Sequence, residues 1–237
     1  MKKIVLYIGV LGAVVLAISC KKNQVPMAQL ASLTVSNAVI GGRSVYINST
    51  QKDSAQNYNY KLFSILAGKS VHMNAHDSSG SGKFYFDGDV DIEPTGLYSL
   101  FLTGTAGAPE GFLLKETIPA YSKDSIIRVR MVNCSPNSGP LNITLKSDEA
   151  KTLFTPAAYK GVTSFVELPL KLPIPTGSNV FQCRDVGGML LASYTLPASG
   201  TVSILTARFR NITLVIRGMV GTTTGAEALG IFPVANY

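Results

Sequence analysis

The stretch Ile127-Arg128-Val129-Arg130-Met131 alternates apolar and basic side chains along its whole length. Successive side chains of a β-strand point to opposite faces, so this alternation predicts a half-buried strand. A similar period of two recurs elsewhere, at residues 33–36, 45–47, 96–103 and 205–216. The decisive pattern of this sequence is therefore that of strands, with one apolar face each.

Turn-forming residues separate these stretches at short and fairly regular intervals. They lie at residues 41–42, 78–82, 136–139, 187–188 and 197–200. Many short strands separated by such turns are typical of an all-β sandwich. Sustained helical periodicity is absent from the sequence, although Asp148 to Phe154 could form one or two helical turns.

The two halves of the sequence repeat one another. Four pairs of segments match, namely 33–38 with 129–134, 45–48 with 141–144, 67–71 with 160–165, and 96–102 with 200–205. One repeat of about 100 residues indicates a duplicated domain rather than a solenoid, whose units are shorter. We therefore predict two tandem immunoglobulin-like β-sandwich domains, at 29–121 and 122–237, with the linker at 119–124.

One segment of the second half carries a family resemblance. Arg128-Val129-Arg130-Met131-Val132-Asn133-Cys134-Ser135-Pro136-Asn137-Ser138-Gly139 resembles the opening strand and loop of the domain-of-unknown-function 4397 family. The first half keeps Asn37-Ala38 but has Val39-Ile40 in place of serine and proline, as a diverged copy would. The resemblance implies tandem immunoglobulin-like sandwiches in lipoproteins of the Bacteroidetes type, and it offers no catalytic residues to transfer.

The first twenty residues have the pattern of an export signal. Lys2 and Lys3 precede an uncharged run from Ile4 to Ser19, which Cys20 follows. That run has sixteen residues, whereas a membrane-spanning helix needs about 20. Leu16-Ala17-Ile18-Ser19-Cys20 resembles the lipobox of bacterial lipoproteins, which implies cleavage before Cys20 and lipidation of its thiol. An ordinary signal peptide and a spanning helix are the alternatives.

The residues after that cysteine extend the lipoprotein prediction. Residues 20–28 form a short tether in which Lys21 and Lys22 would meet an anionic membrane surface. The expected location is the cell envelope, at the outer membrane, on either its periplasmic or its surface face. The net charge of +7 includes four lysines of the leader and tether, and the other charges are scattered. A nucleic-acid partner is therefore not predicted.

Cys134 and Cys183 are the two remaining cysteines. Export to an oxidising compartment would permit a disulfide between them. Two buried free thiols are an equally good interpretation, because the sequence does not show whether the two Cα atoms come within about 7 Å.

Asp87, Asp89 and Asp91 alternate in a short acidic stretch that also includes Glu93. Carboxylate oxygens are calcium ligands, but the spacing lacks the glycine and the final glutamate of an EF-hand loop. In a strand all four acids would share one face, which favours a solvent-facing strand over a calcium site.

Catalytic constellations are poorly represented. His72 and His76 are the only histidines, and on a strand they would lie about 13 Å apart, too far for one zinc ion. The sequence has no Gly-x-Ser-x-Gly nucleophile motif. A hydrolase would require a cleft that gathers the acids of 87–93 near a histidine. We predict no enzyme activity and no cofactor.

Asn57 to Phe63 interleaves amide and aromatic side chains. Tyr58 and Tyr60 could stack on a sugar ring, although a strand with Tyr58, Tyr60 and Leu62 packed in the core is the favoured interpretation. The function predicted from the sequence is that of a non-catalytic, lipid-anchored binding or structural protein of the envelope. A glycan-binding module is the alternative, and a protein or a glycan is the expected partner.

Overall fold

The computed structural model describes residues 28–48, 53–80, 82–170, 172–200 and 202–236. Within those ranges the chain forms sixteen strands and one short helix. The first half contains β1 Leu30–Asn37, β2 Val45–Ile47, β3 Ser54–Ala55, β4 Asn59–Leu66, β5 Gly68–Asp77, β6 Phe84–Ile92, β7 Leu97–Gly104 and β8 Pro109–Lys115. The second half contains β9 Ile126–Asn133, β10 Leu141–Leu145, β11 Asp148–Thr152, β12 Val166–Pro169, β13 Val180–Asp185, β14 Leu190–Thr195, α1 Ile204–Ala207, β15 Asn211–Arg217 and β16 Gly230–Asn236.

The strands form four sheets, two in each half, and the halves have the same topology. In each half we call the sheet that faces the other half the inner sheet, and the remaining sheet the outer sheet. The first half has an inner sheet ordered β4-β1-β7-β8 and an outer sheet ordered β3-β2-β5-β6. The second half has an inner sheet ordered β12-β9-β15-β16 and an outer sheet ordered β11-β10-β13-β14. In both inner sheets the central pair, β1 with β7 and β9 with β15, is parallel. The all-β sandwich is confirmed, while the domain boundary between 121 and 122 stays a prediction.

This topology confirms two of the four predicted repeat pairs. Residues 33–38 match 129–134 because β1 and β9 hold the same sheet position, and β2 matches β10 likewise. Residues 160–165 lie in the segment before β12, whereas 67–71 lie mostly in β5, whose counterpart is β13. Residues 200–205 lead into α1, whereas 96–102 belong to β7, whose counterpart is β15. The last two pairings are therefore wrong.

Two glycines mark the correct pairing of β7 with β15. Gly104 is the last residue of β7 and Gly218 directly follows β15, with φ of +78° and +98°. A Cβ atom on Gly104 would meet the carbonyl oxygen of Ala108, and one on Gly218 would meet that of Ala228. Because both positions combine left-handed backbone with close backbone approach, they need the residue without a side chain.

Local structure departs from the sequence prediction at two segments of the second half. Ser203 caps α1, and it exchanges hydrogen bonds with Thr206 in a capping box, so the predicted strand starting at Leu205 is a helical turn instead. The regular strand begins only at Asn211. Conversely, residues 148–152 form β11 rather than the suggested helical turn, because they pair with β10.

Each half has its own apolar core between its two sheets. The first is centred on fully buried side chains of the inner and outer sheets, Leu33, Val35, Val45, Met73 and Leu100. The second is centred on Val129, Met131, Ile143, Ile212 and Leu214. Alternate residues of each strand supply these cores, as the period of two predicts.

The two halves pack face to face through their inner sheets. A third buried cluster joins them, with members from both sides: Ala38, Phe101, Val132, Cys134, Val215, Phe232 and Val234. Phe101 also stacks on Phe112 at a ring separation of 5.2 Å. The molecule is thus four sheets deep, and the face of each inner sheet that points away from its own core is covered in part by the other half.

The central strands of the two inner sheets run in the same direction. We call the end where β1, β7, β9 and β15 begin the basal end, and the opposite end the apical end. At the basal end the Glu116 amide donates to Leu97 O, and the Asn211 side chain donates to Pro119 O. At the apical end the Thr103 hydroxyl donates to Cys134 O at 2.8 Å. The connection 116–125 therefore joins the two basal ends.

In the ranges that the structure describes, we find no helix with the length and apolar character needed to cross a membrane. Cys20, the predicted signal peptide and almost all of the tether lie outside those ranges.

Candidate functional site

The interface between the halves contains a buried ion pair near its basal end. Arg130 Nη1 donates to Glu116 Oε2 at 2.8 Å, and the second pair of atoms makes the interaction bidentate. The side chains are only 5% and 3% exposed. Arg130 Nε donates to Thr213 Oγ1 at 2.8 Å, and its guanidinium lies 4.7 Å from the Phe165 ring centre. This geometry satisfies both charges within the protein.

Arg130 corrects the sequence interpretation of the opening stretch. Its alternation with apolar residues predicted a half-buried strand, in which the basic side chains face water. Arg128 is partly exposed, and pairs with Glu167 at 2.8 Å. Arg130 instead points into the interface, because the inner sheet of the first half covers its face of β9. One feature of the sequence points to a partner for Arg130: Glu116 is the only acidic residue between Glu110 and Asp124.

A second group of contacts joins the halves near the apical end. The Arg217 guanidinium lies 3.6 Å from the centre of the Tyr58 ring, and the Tyr58 hydroxyl donates to Ala226 O. Burial lowers the pKa of Arg217 from its ordinary value. On the other side of the interface, Lys160 pairs with Glu110. The halves are therefore held at both ends as well as through the apolar cluster.

The predicted tyrosines lie at this interface and not inside a sandwich core. Tyr58 precedes β4 with a φ of +57°, and Tyr60 packs against the cluster between the halves. Leu62, on the same face, is 41% exposed. The core interpretation of this trio is wrong, because their face of β4 is the face turned toward the second half.

An open groove of about 500 Å³ runs beside these tyrosines. It is lined from both halves by Tyr58, Asn59, Tyr60, Lys61, Leu62, Val202, Phe232 and Pro233. The groove thus combines aromatic rings with an amide and an ammonium group. It has this composition only because β4 of one half lies against β16 of the other.

The acidic stretch lies on the open face of the outer sheet of the first half. Asp87, Asp89 and Asp91 are all exposed along β6. Asp91 Oδ2 accepts from Lys69 at 2.8 Å, and Asp91 Oδ1 accepts from the Ser70 amide. The hydrogen bond from Lys69 is the first cause that holds the pKa of Asp91 below its ordinary value, and it raises the pKa of Lys69.

His72 lies between the other two acids. Its Nε2 is 3.3 Å from Asp87 and its Nδ1 is 3.0 Å from Asp89. Within the described residues no three or more histidine, cysteine, aspartate and glutamate side chains are arranged to hold a metal ion. The structure therefore presents these acids as cross-strand partners of bases on a solvent-facing strand.

His76 does not join that cluster. It lies toward the apical end, with Tyr46 at 5.7 Å and Phe84 at 6.3 Å between ring centres. The acids of 87–93 therefore share an open face with one histidine and do not line a cleft with either. The arrangement that a hydrolase would require is not assembled by this sheet.

Cys134 and Cys183 are both buried free thiols. Cys183 belongs to the core of the second half, whereas Cys134 belongs to the cluster between the halves. Burial raises the pKa of each thiol to about 12. The free-thiol interpretation describes this structure, and the disulfide alternative does not.

Comparison with known proteins adds no relative to this geometry. A scan against protein-family models matched none of them to the chain, and a search of the curated proteins found no match either.

Proposed function

We propose that this chain is a lipid-anchored protein of the bacterial cell envelope, at the outer membrane, with a binding or structural role and no catalytic one. The leader carries this proposal: Lys2 and Lys3, an uncharged run of sixteen residues, and Cys20 behind Ser19. Acyl chains on Cys20 and its amino group would hold the protein firmly, because each buried methylene contributes about 0.8 kcal/mol.

The position of the first strand supports this proposal. β1 begins at Leu30, ten residues after Cys20. Ten extended residues span at most about 35 Å. The two sandwiches would therefore stay close to the membrane, with their basal end nearest to it.

The resemblance of Arg128–Gly139 to the domain-of-unknown-function 4397 family supports a non-catalytic role, since that family provides no catalytic residues. The shared topology of the two halves fits a tandem duplication of such a domain. Fold alone does not determine function, so the role depends on surfaces rather than on the sandwich itself.

Glycan binding is the second candidate, and the groove between the halves favours it. The half-buried Tyr60 offers a ring there beside the mostly buried Phe232, and Asn59 and Lys61 offer polar groups for hydroxyls. A glycan array would test this with Lys61→Ala and Asn59→Ala, which leave the Tyr58–Arg217 stack intact. Loss of a signal in these variants, but not in Tyr46→Ala on the remote outer sheet, supports the groove. A signal that survives both changes argues against it.

The anchor itself is tested by Cys20→Ala in cells fed a labelled fatty acid. The normal chain should carry the label and sediment with membranes, whereas Cys20→Ala should lose the label. Ser19→Ala keeps a small residue before the cysteine and should behave like the normal chain. A labelled Cys20→Ala protein, or an unlabelled normal chain, would contradict the proposal. Protease treatment of intact cells then distinguishes a surface-exposed protein from a periplasmic one.

A further inference from the structure

Large apolar side chains are exposed at the basal end of the first half. Leu30 opens β1 and faces Leu66 at the end of β4, and Leu97 opens β7 beside Ser32. All three leucines are exposed on the inner sheet, beyond the part that the second half covers. They lie on one face near the basal ends of three adjacent strands.

The second half exposes apolar side chains at the same end. Leu205 lies in α1, directly before the basal start of β15, and is 63% exposed. The Phe209 amide donates to Ile126 O, which opens β9. Tyr121 and Leu172 are exposed as well. Both lie near this point, because the Ser122 amide donates to Phe209 O and the Leu170 amide donates to Ser125 O. We call these seven residues, Leu30, Leu66, Leu97, Tyr121, Leu172, Leu205 and Phe209, the basal apolar surface.

Arginines accompany the aromatic members of this surface. The Arg208 guanidinium lies 5.1 Å from the Phe209 ring centre, and that of Arg210 lies 5.9 Å from the Tyr121 ring centre. Aromatic rings flanked by arginine are suited to the membrane–water interface, where the ring enters the acyl boundary and the cation reaches the headgroups.

Three exposed acidic groups at the basal end pair with bases, and a fourth, Asp124, is exposed next to Lys123. Asp91 pairs with Lys69, Glu93 with Lys115, and Glu167 with Arg128. Arg208, Arg210 and the exposed Lys123 are additional cations at this end. The basal end therefore presents apolar side chains together with positive charge, which is the combination that anionic lipid surfaces attract.

The chain itself indicates which occupant covers this surface. It enters the fold at Leu30, which is a member of the basal apolar surface, and the proposed lipid on Cys20 lies no more than about 35 Å away. A lipid leaflet is thus the one apolar phase that the anchor would hold beside these residues. A soluble partner or a second copy would need to displace it.

We infer that the basal apolar surface contacts the anionic leaflet that holds the anchor, so that the two sandwiches stand on the membrane with their apical end outward. This inference rests on the proposed anchor and specifies how the anchored protein is oriented. Contact would be shallow, with side chains entering about 5–10 Å into the headgroup and acyl boundary.

The apical end supplies a matched control. Met189, in the turn between β13 and β14, is 59% exposed, close to the exposure of Leu205. Residue 189 belongs to the opposite end of the second half, since β13 ends and β14 begins there. A probe at 189 therefore has the same access to water as one at 205 but should remain far from the lipid.

The test uses the full lipidated chain in vesicles of phosphatidylcholine with a minority of phosphatidylglycerol. Leu205→Cys and Met189→Cys are each labelled with an environment-sensitive fluorophore. Burial and a pKa of about 12 keep the thiols of Cys134 and Cys183 unreactive. Emission at 205 should shift to shorter wavelength, and spin-labelled lipid should quench it at least about twofold more strongly than emission at 189.

The outcomes separate this inference from the anchor. Mass measurement of the amino-terminal peptide reports lipid on Cys20 directly. If the peptide is lipidated and the two probes respond alike, the inference is wrong while the anchor stands. If the peptide carries no lipid, the anchor proposal fails and the inference fails with it. A shift at 205 that appears equally in detergent and grows with protein concentration indicates a second copy instead, and likewise overturns the lipid contact.

Discussion

Asn37 and Asn133 end β1 and β9 at equivalent places in the two halves, and both are fully buried. Asn37 Nδ2 donates to Arg43 O at 2.8 Å and to Ala55 O at 3.4 Å, and its Oδ1 accepts from the Val39 amide at 3.4 Å. Asparagine suits this position because one short side chain both donates and accepts.

Asn133 does the same, and two of its three hydrogen bonds are shorter than their counterparts at Asn37. Its Nδ2 donates to Ser138 Oγ at 2.9 Å and to Ala157 O at 3.0 Å, and its Oδ1 accepts from the Ser135 amide at 3.0 Å. Ser135 Oγ then donates to Gly218 O at 2.7 Å. The second half therefore holds this loop with a polar network.

The first half replaces part of that network with apolar packing. Val39 stands where the second half has Ser135, and its side chain is fully buried in the first core. Ile40 stands in the place of Pro136, and its amide donates to Gly104 O at 2.9 Å. The comparison teaches that the asparagine sets the loop geometry in both halves, while the following two residues can be polar or apolar.

The largest effect is expected from a variant that tests whether the two halves unfold as one unit. Glu116→Ala leaves Arg130 charged and buried, which should lower the free energy of unfolding by about 3–5 kcal/mol. Glu167→Ala removes a partner from the more exposed Arg128 and should cost less than about 1 kcal/mol. Denaturant unfolding should show a single transition shifted by Glu116→Ala. A stable intermediate in the normal chain would show that the halves are independent.

The next test compares the two asparagines directly. Asn133→Ala should cost about 2–3 kcal/mol and Asn37→Ala about 1–2 kcal/mol, because both leave buried polar groups unpaired and two of the three bonds are longer at Asn37. Calorimetric melting of the two variants gives the order. Equal losses would mean that the bond lengths do not distinguish the two loops.

Ser135→Ala sharpens the contrast between polar and apolar loops. Loss of the hydroxyl leaves Gly218 O without that donor and should cost about 1–2 kcal/mol. Val39→Ala in the first half instead removes apolar volume from a filled core, with a loss of about 1–3 kcal/mol. Ser135→Ala should weaken amide-exchange protection around 218 alone, whereas Val39→Ala should weaken it more widely in its core.

The smallest effect concerns the outer sheet of the first half and pH. Lys69 lowers the pKa of Asp91, so this pair stabilises the fold above the ordinary aspartate pKa and loses its contribution as pH falls through the lowered value. At low salt, Asp91→Asn should slightly reduce the loss of folding stability that occurs as the pH falls into the acid range. The difference from the normal chain should vanish at high salt, since the pair is fully exposed. A loss that persists at high salt would indicate a structural role.

Local periodicity predicted most of the strands and the residues that face each sandwich core, because the core takes alternate residues of each strand. It also predicted the match of β1 with β9. It mispaired 67–71 with 160–165 because β12 is a four-residue strand preceded by irregular chain. Its alternation continued through Leu205–Arg210 although the Ser203 cap starts a helical turn there.

Contacts between the halves could not be predicted in the same way. Tyr60 and Arg130 lie on strand faces that would meet water in an isolated sandwich. Their burial depends on how the inner sheets meet, which no pattern within one strand records. The buried pairing of Arg130 with Glu116, and the groove beside Tyr58, are consequences of this packing.

The central position of β1 has a mechanical consequence. β1 is paired along its length with β4 on one side and for six residues with β7 on the other. A pull on the amino terminus, along the axis of β1, loads both ladders in shear, so many hydrogen bonds must give way together. Pulling an edge strand sideways would break them one by one. A protein pulled by its amino terminus would therefore resist unfolding better than its modest size suggests.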